Sequence, residues 1–390
     1  MTRHARHEYA EALRARYGAA TKQEKGRILN EYCRTTGGHR KAAIRRLSQH
    51  SPPGGRRPRG RPRRYGAEVL PVLIRLWDLS DRPCGKLLAA LLPALVSALE
   101  RHGELRLAPA RRAPLLGMSL ATLDRLLRPV RRTSPPPRRG GPPAPTALKR
   151  QVPIRSFGEW HGVTPGSLQA DLVFHCGERS EGFFLTTLVG VDVATGWTEL
   201  ESIWGTGQRR VGTGVHRLRH RLPVPLRELH TDNGSEFINH VLVPWCRREG
   251  IRLTRGRGYR KNDQAYVEQR NWVAVRRTIG YDRYSSHGAH ALFQRFYELL
   301  RLQLNFLRPL RKLVSKQRVG AKLTKRYDAA QTPYQRLLAA GVLPLGPRQA
   351  LEREFLAINP VALARQLDQT LDALWKLRDR QAPRQQAGLG

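Results

Sequence analysis

The stretch LHTDNGSEF, Leu229 to Phe237, constrains this chain more than any other. An apolar strand, LREL, runs toward Asp232 and is stopped by Asn233-Gly234, which turns the backbone sharply and leaves a carboxylate exposed at the strand end. Upstream, SLQADLVFH places Asp171 in a strand with Ala170, Leu172, Val173 and Phe174 around it. A lone carboxylate in such surroundings needs a partner or a metal. Downstream, NDQAYVEQRNW puts Glu268 on a helix with an Asn262-Asp263 cap, and 35 residues separate it from Asp232. Three separated acids thus point to one site.

Composition gives the partner's sign. A chain of 390 residues has room for two to three domains, and 40% hydrophobic content is enough for real cores. A net charge of +39 with a pI near 11.4 far exceeds what solubility requires, so the expected partner is a polyanion, nucleic acid ahead of anionic membrane. No apolar run approaches the roughly 20 residues of a spanning helix, and MTRHARHEYAEAL lacks a signal-peptide core. The expected place is therefore the cytoplasm, with nucleic acid and without membrane. Residues 1 to 150 carry 33 Lys and Arg against 10 acids, residues 151 to 200 carry 2 against 6, and residues 301 to 350 carry 11 against 1. DNA-contacting surface is expected on both flanks of a roughly neutral centre. Cys33, Cys84, Cys176 and Cys246 are widely spaced without a CxxC pair, so buried free thiols are expected rather than disulfides or a zinc finger.

The HTDNGSEF block, the 35-residue gap and the VEQ helix together resemble the DDE integrases and transposases of the retroviral integrase superfamily. The likeness is to bacterial insertion-sequence transposases with an integrase catalytic core and covers roughly Trp160 to Tyr284. It implies a ribonuclease-H-like fold with a mixed five-stranded sheet, in which Asp171, Asp232 and Glu268 are the catalytic residues and hold two Mg²⁺ or Mn²⁺ ions. It further implies cleavage of phosphodiester bonds to expose 3′-hydroxyls, their joining to target DNA without a covalent protein–DNA intermediate, and a homo-oligomer assembled on double-stranded DNA. The alternatives are a metal-dependent nuclease of the same fold and a non-catalytic DNA-binding regulator derived from a transposase. Retroviral integrases carry an N-terminal His-His-Cys-Cys zinc module; here His4, His7 and Cys33 have no second nearby cysteine, and no structural zinc is expected.

In chain order, residues 1 to 50 read as three short helices in a helix-turn-helix arrangement, the last being HRKAAIRRL after the Thr36 to Gly38 turn. That helix offers Arg40, Lys41, Arg45 and Arg46 to DNA around an apolar seam of Ala42, Ala43, Ile44 and Leu47; the alternative is a helical bundle with a solvated basic face. Residues 51 to 65 form a basic linker whose Pro58-Arg59-Gly60-Arg61-Pro62 resembles an AT-hook, Arg59 and Arg61 entering a narrow minor groove, or else a solvated charged linker. Residues 66 to 132 carry three further helical segments, read as a second helix-turn-helix domain. Residues 133 to 152 are a Pro-rich linker.

The core is expected over 153 to 285: three antiparallel strands, a basic helix around Arg209 to Arg221, the Asp232 strand, a helix over Val241 to Arg248 and the short strand IRLTR. Asp192, before Ala194-Thr195-Gly196, is assigned to turn capping. GTGQRRVGTG lacks the lysine and the Gly-Lys-Ser/Thr ending of a phosphate loop, so no nucleotide cofactor is expected. The loop RGRGYRKN places Arg260 and Lys261 as contacts to DNA phosphates, or else is solvated. Residues 286 to 380 are expected to be basic and mainly helical, with no C-terminal β-barrel, and 381 to 390 to be a disordered tail.

Overall fold

The computed structural model describes residues 1–48, 65, 69–133, 162–232, 234–256, 264–319 and 321–379. Arg59 and Arg61, Arg260 and Lys261, the Asn262-Asp263 cap, the proline-rich linker after Thr133 and the 381–390 tail lie outside the described residues. The chain divides into two compact units, Met1–Arg64 and Tyr65–Gly390.

The first unit is three helices, α1 (Arg3–Ala19), α2 (Lys22–Thr36) and α3 (Arg40–Ser48). Thr2 caps α1 through its hydroxyl, and Thr21 with Glu24 forms a reciprocal capping box on α2. Gly37, at φ 65°, supplies the left-handed residue that ends α2, and its N–H returns to the Cys33 carbonyl. Ala10, Leu13, Tyr17, Ile28, Leu29, Tyr32, Ala43 and Leu47 form the core. The seam of α3 is narrower than its sequence implies: Ala43 and Leu47 are buried, whereas Ile44 is 38% exposed. One helical turn separates residues 43 and 47, and residue 44 lies about 100° round from that face.

The second unit begins with α4 (Val69–Leu79), α5 (Gly85–Arg101), α6 (Pro109–Leu116) and α7 (Leu120–Thr133), which bury Leu73, Leu76, Trp77, Leu88, Leu95, Leu99, Leu123 and Leu127 together. The helix α6 is not apparent in PARRAPLL, because two prolines read as breakers. Pro109 stands in its first turn, where no N–H is required. These helices share their unit with the sheet and the C-terminal helices: Arg101 donates to the Leu356 carbonyl (3.1 Å), and Arg277 and Arg308 both bind the Asp81 carboxylate.

The sheet comprises β1 (Ser167–Phe174), β2 (Thr186–Asp192), β3 (Thr198–Ile203), β4 (Glu228–Thr231) and β5 (Arg252–Arg255), in the order β3-β2-β1-β4-β5. The first three strands are antiparallel neighbours, and β1, β4 and β5 run parallel. Helices α8 (Gln208–Arg221) and α9 (Leu242–Arg248) occupy the two crossovers. This is the chain order expected of the ribonuclease-H-like core. Alternation divides β1 between two cores: Leu168 and Ala170 face α8 and α9, while Val173 joins the opposite cluster. Both faces are covered, so β2 and β3 are buried along their whole length.

That opposite face is covered by α10 (Ala265–Arg270), a π-helix over Asn271–Arg276, α11 (His287–Phe306), α12 (Pro333–Ala339), α13 (Leu345–Ala357) and α14 (Pro360–Lys376). The expectation of a mainly helical 286 to 380 needs one correction. The cationic stretch after α11 is a β-hairpin, β6 (Leu313–Val319) with β7 (Lys322–Tyr327). Its alternation is spread over Val314, Val319, Thr324 and Tyr327 and obscured by lysine and arginine between them. The thiols also differ from expectation: Cys246 is buried, Cys33 and Cys176 are half-buried, and Cys84 is exposed.

Candidate active site

Strand pairing brings the first two acids to adjacent strands. Ala170 on β1 lies opposite Thr231 on β4, so Asp171 and Asp232 are the next residues along two parallel neighbours. Asp171 is half-buried; its carboxylate accepts from the Leu172 N–H (2.9 Å) and from the Asn271 side-chain amide (2.7 Å). Asp232 accepts from the Gly234 N–H at 2.9 Å. A side chain at 234 would displace the Glu236 carboxylate and crowd that of Asp232, so the glycine leaves these two acids their positions.

Glu268 comes from α10, whose N-cap is Gln264 without a side-chain cap bond. Three contacts fix this helix and the π-helix that continues it along β1 and its neighbours. The Val267 N–H donates to Gln169 (3.2 Å), Arg270 donates to the Gly196 carbonyl (3.2 Å), and Arg276 to the Phe174 carbonyl (3.1 Å). Asn271 opens the π-helix and stands three residues after Glu268, hence on the same helical face. Wide π turns occur frequently at functional sites. Asn271 was not singled out in the sequence, although the i,i+3 spacing from Glu268 is visible there.

Electrostatics mark the same place. Burial pushes the Asp171 carboxyl up to about 7, the charge of Asp232 pushes the same way, the Leu172 N–H and the Asn271 amide oppose them, and Glu268 adds a smaller upward push. Among the described residues Asp171 makes no ion pair; the Arg276 charge interacts with it electrostatically, while the Arg276 guanidinium donates to the Phe174 carbonyl. Among the described residues no three His, Cys, Asp or Glu side chains stand close enough together to surround a metal ion. The donors are nonetheless hard carboxylate oxygens of the kind that Mg²⁺ and Mn²⁺ take, and Asp171 keeps an accessible edge. The donor chemistry fits a divalent ion; the three acids are not drawn together around one.

Asp192 is a structural acid, as its place before the turn implies. It is buried and accepts from the Gly166 N–H (2.8 Å), the Thr195 N–H (2.8 Å) and the Thr195 hydroxyl (2.7 Å). The glycines of GTGQRRVGTG have a packing role as well: Gly214 lets α8 lie against Ile203 and Leu188 of the sheet. In the first unit, Arg40, Lys41, Arg45 and Arg46 are all exposed, with Arg40 hydrogen-bonded to Asn30 and Arg45 to the Lys41 carbonyl at 3.4 Å.

The second unit is thus a mixed α/β core with paired aspartates on neighbouring parallel strands and a glutamate on the helix packed across them. The chain is 42% identical over 333 residues to the uncharacterized protein y4rM of Sinorhizobium fredii, a match covering 85% of this chain and 94% of that protein. It belongs to the same family as y4rM. No family model matches it. Among solved structures it is similar to the catalytic core domain of BIV integrase, at 20% identity, over 45% of this chain and 95% of that one, with a TM-score of 0.29. No described helix is long and apolar enough to cross a membrane.

Proposed function

We propose that this protein is a DNA strand-transfer enzyme of the transposase and integrase type, a polynucleotidyl transferase acting on double-stranded DNA. The observation that carries the reading is geometric: Asp171 and Asp232 follow directly on paired residues of adjacent parallel strands, a grouping in which burial and then the Asp232 charge push the Asp171 carboxyl up to about 7. Such a site opposes folding unless binding a cation is its purpose. Asp171, Asp232 and Glu268 would hold two Mg²⁺ or Mn²⁺ ions, which when bound activate an attacking oxygen and neutralise charge developing on a phosphodiester. The chain's own part is positioning. The Asn271 amide and the Leu172 N–H fix the Asp171 carboxylate, the Gly234 N–H fixes Asp232, and the contact of Val267 with Gln169 sets Glu268 against β1.

Arg40, Lys41, Arg45, Arg46, Arg59, Arg61, Arg260 and Lys261 are proposed to meet DNA, consistent with the net charge of +39. Processing two DNA ends requires at least two protomers, so assembly on DNA is part of the proposal. The test is a joining assay with duplexes copied from the DNA flanking its coding sequence, recessed to leave 3′-hydroxyls, mixed with supercoiled plasmid and Mg²⁺ or Mn²⁺. Joined product is expected. Nicking without joining would make it a nuclease, and binding without either would make it a regulator.

A further inference from the structure

We propose that the β6–β7 hairpin is a DNA-contacting ribbon that lies in the major groove of the duplex presented to the acid site; this rests on the DNA-processing reading above. Residues 313 to 327 contain five cations, Lys316, Arg318, Lys322, Lys325 and Arg326, and no acid. The register sets Lys316 opposite Lys325. Like charges directly opposite one another on paired strands are destabilising. A two-stranded hairpin is in any case marginal in water, and this one is exposed at Val314, Gln317 and throughout Leu323 to Tyr327. An arrangement costly to an isolated protein becomes favourable against a polyanion.

The base of the ribbon is held firmly. The Lys312 N–H donates to Asp328 (2.7 Å), Arg336 donates to the same carboxylate (2.6 Å), and Arg311 donates to the Asp328 carbonyl (2.8 Å). The base is also tied to the catalytic helix through one turn. Lys312 donates to the Ala194 carbonyl (2.9 Å), and Arg270, two residues from Glu268, donates to Gly196 of that turn. A duplex held by the ribbon is thereby placed in relation to the helix that carries Glu268.

Dimensions and surface chemistry select the groove. Strands of seven and six residues span about 20 Å, and the pair is about 5 Å between strand axes. A major groove about 12 Å wide admits a two-stranded ribbon. Leu323, 39% exposed, alternates with Thr324 and Arg326 and offers an apolar contact to thymine methyl groups beside cations for phosphate. Lysines also blunt the free edges of sheets against strand addition. That role needs one or two charges, whereas this hairpin exposes Lys325 and Arg326 on successive positions of β7 and carries three further cations in its sequence without an acid.

The experiment uses the full chain and a duplex oligonucleotide of about 40 base pairs, long enough for counterion release to be read from the salt dependence. Lys325→Gln with Arg326→Gln is expected to weaken binding on the order of tenfold near 0.1 M salt and to lower the slope of log K against log salt by about 2. The control, Arg348→Gln with Arg353→Gln on α13, removes the same charge from other exposed positions and should leave the slope nearly unchanged. Leu323→Ala should weaken binding a few-fold without changing the slope, and a major-groove ligand should compete where a minor-groove ligand does not. The control and Leu323→Ala variants should melt near the parent, and the hairpin variant at or slightly above it, since Lys325→Gln removes the charge set opposite Lys316. An unchanged slope in the hairpin variant, an equal loss in the control, or competition by the minor-groove ligand alone overturns the ribbon while leaving the DNA reading intact. If the hairpin variant loses binding only to phosphatidylserine vesicles, the hairpin meets lipid and the ribbon fails. A parent chain that binds no duplex sinks both readings.

Discussion

Glu199 and Asp171 are both carboxylates set into the same sheet, and they are treated in opposite ways. Glu199 is fully buried, and Arg301 (3.0 Å), Arg221 (3.2 Å) and the Trp197 indole N–H (2.9 Å) all bind it. Burial pushes its carboxyl up while the two guanidiniums draw it down. Among the described residues Asp171 is hydrogen-bonded by one backbone N–H and one neutral amide and by no guanidinium; the Asp232 and Glu268 charges push its carboxyl up, and Arg276 acts on it without an ion pair. A carboxylate serving the fold brings its own cations; under the proposed function, one whose neighbours include two acids receives a cation from outside. The contrast supports the proposed site, because its electrostatics differ from those of a structural ion-pair network of the same strands.

The largest break in the comparison should come from Asp232→Asn, which keeps the side chain's shape and removes one charge. Strand transfer is expected to fall on the order of 10⁴-fold, as it should for Asp171→Ala and Glu268→Ala, while duplex binding in a gel-shift assay persists. Retained joining in any one of these variants would remove that residue from the site. The structural acid should behave in the reverse manner. Glu199→Gln leaves Arg221 and Arg301 facing a neutral group in the interior and is expected to lower stability by about 3 kcal/mol in urea unfolding, through loss of one partner of a buried pair. A silent Glu199→Gln would erase the distinction.

Asn271 sharpens the comparison from the other side, since among the described residues its amide gives the one side-chain hydrogen bond to the Asp171 carboxylate. Asn271→Ala should reduce activity about 10–100-fold, as loss of an outer partner of a metal-binding carboxylate does, and leave the melting temperature near the parent's. Titration of the Mg²⁺ dependence should show the loss partly recovered at high Mg²⁺. A large drop in stability with no change in Mg²⁺ dependence would make Asn271 a packing residue instead.

These residues also show what the sequence carries and what it does not. The three acids can be singled out in the sequence by local signals, Asp232 before Asn233-Gly234, Asp171 in an apolar strand and Glu268 on a short helix; their role together belongs to the proposed function. The element order from β1 to β5 is legible because β-branched and apolar residues recur between turn residues, most clearly in β1 and β2 and least in the four-residue β4 and β5. Asn271 was not, because an amide gains meaning only when a neighbouring strand supplies its acceptor 100 residues away. The hairpin was hidden by charge, since a strand exposed on both faces has no apolar alternation to read. The partition of cations was equally invisible: Arg221, Arg270, Arg301 and Arg308 add to the positive count that suggested DNA, yet they are committed to buried or half-buried partners inside the protein.

The smallest expected effect is on stability at the acid site, and it depends on pH in a definite direction. An unfolded aspartate titrates near 3.9, whereas burial and then Asp232 push folded Asp171 up to about 7. Between these values the folded chain holds more protons than the unfolded one, so stability falls as pH rises from about 4 to 7, and the deficit is complete above 7. Asp171→Asn removes the titrating group. Its melting temperature should equal the parent's near pH 4, rise above it by a few degrees by pH 7.5 in chelator, and lose most of that advantage in excess Mg²⁺, which stabilises only the parent by binding its folded state. An offset independent of pH would mean that the substitution acts through packing. A parent indifferent to Mg²⁺ at pH 7.5 would return Asp171 to the class of Glu199 and leave the paired aspartates without a cation to receive.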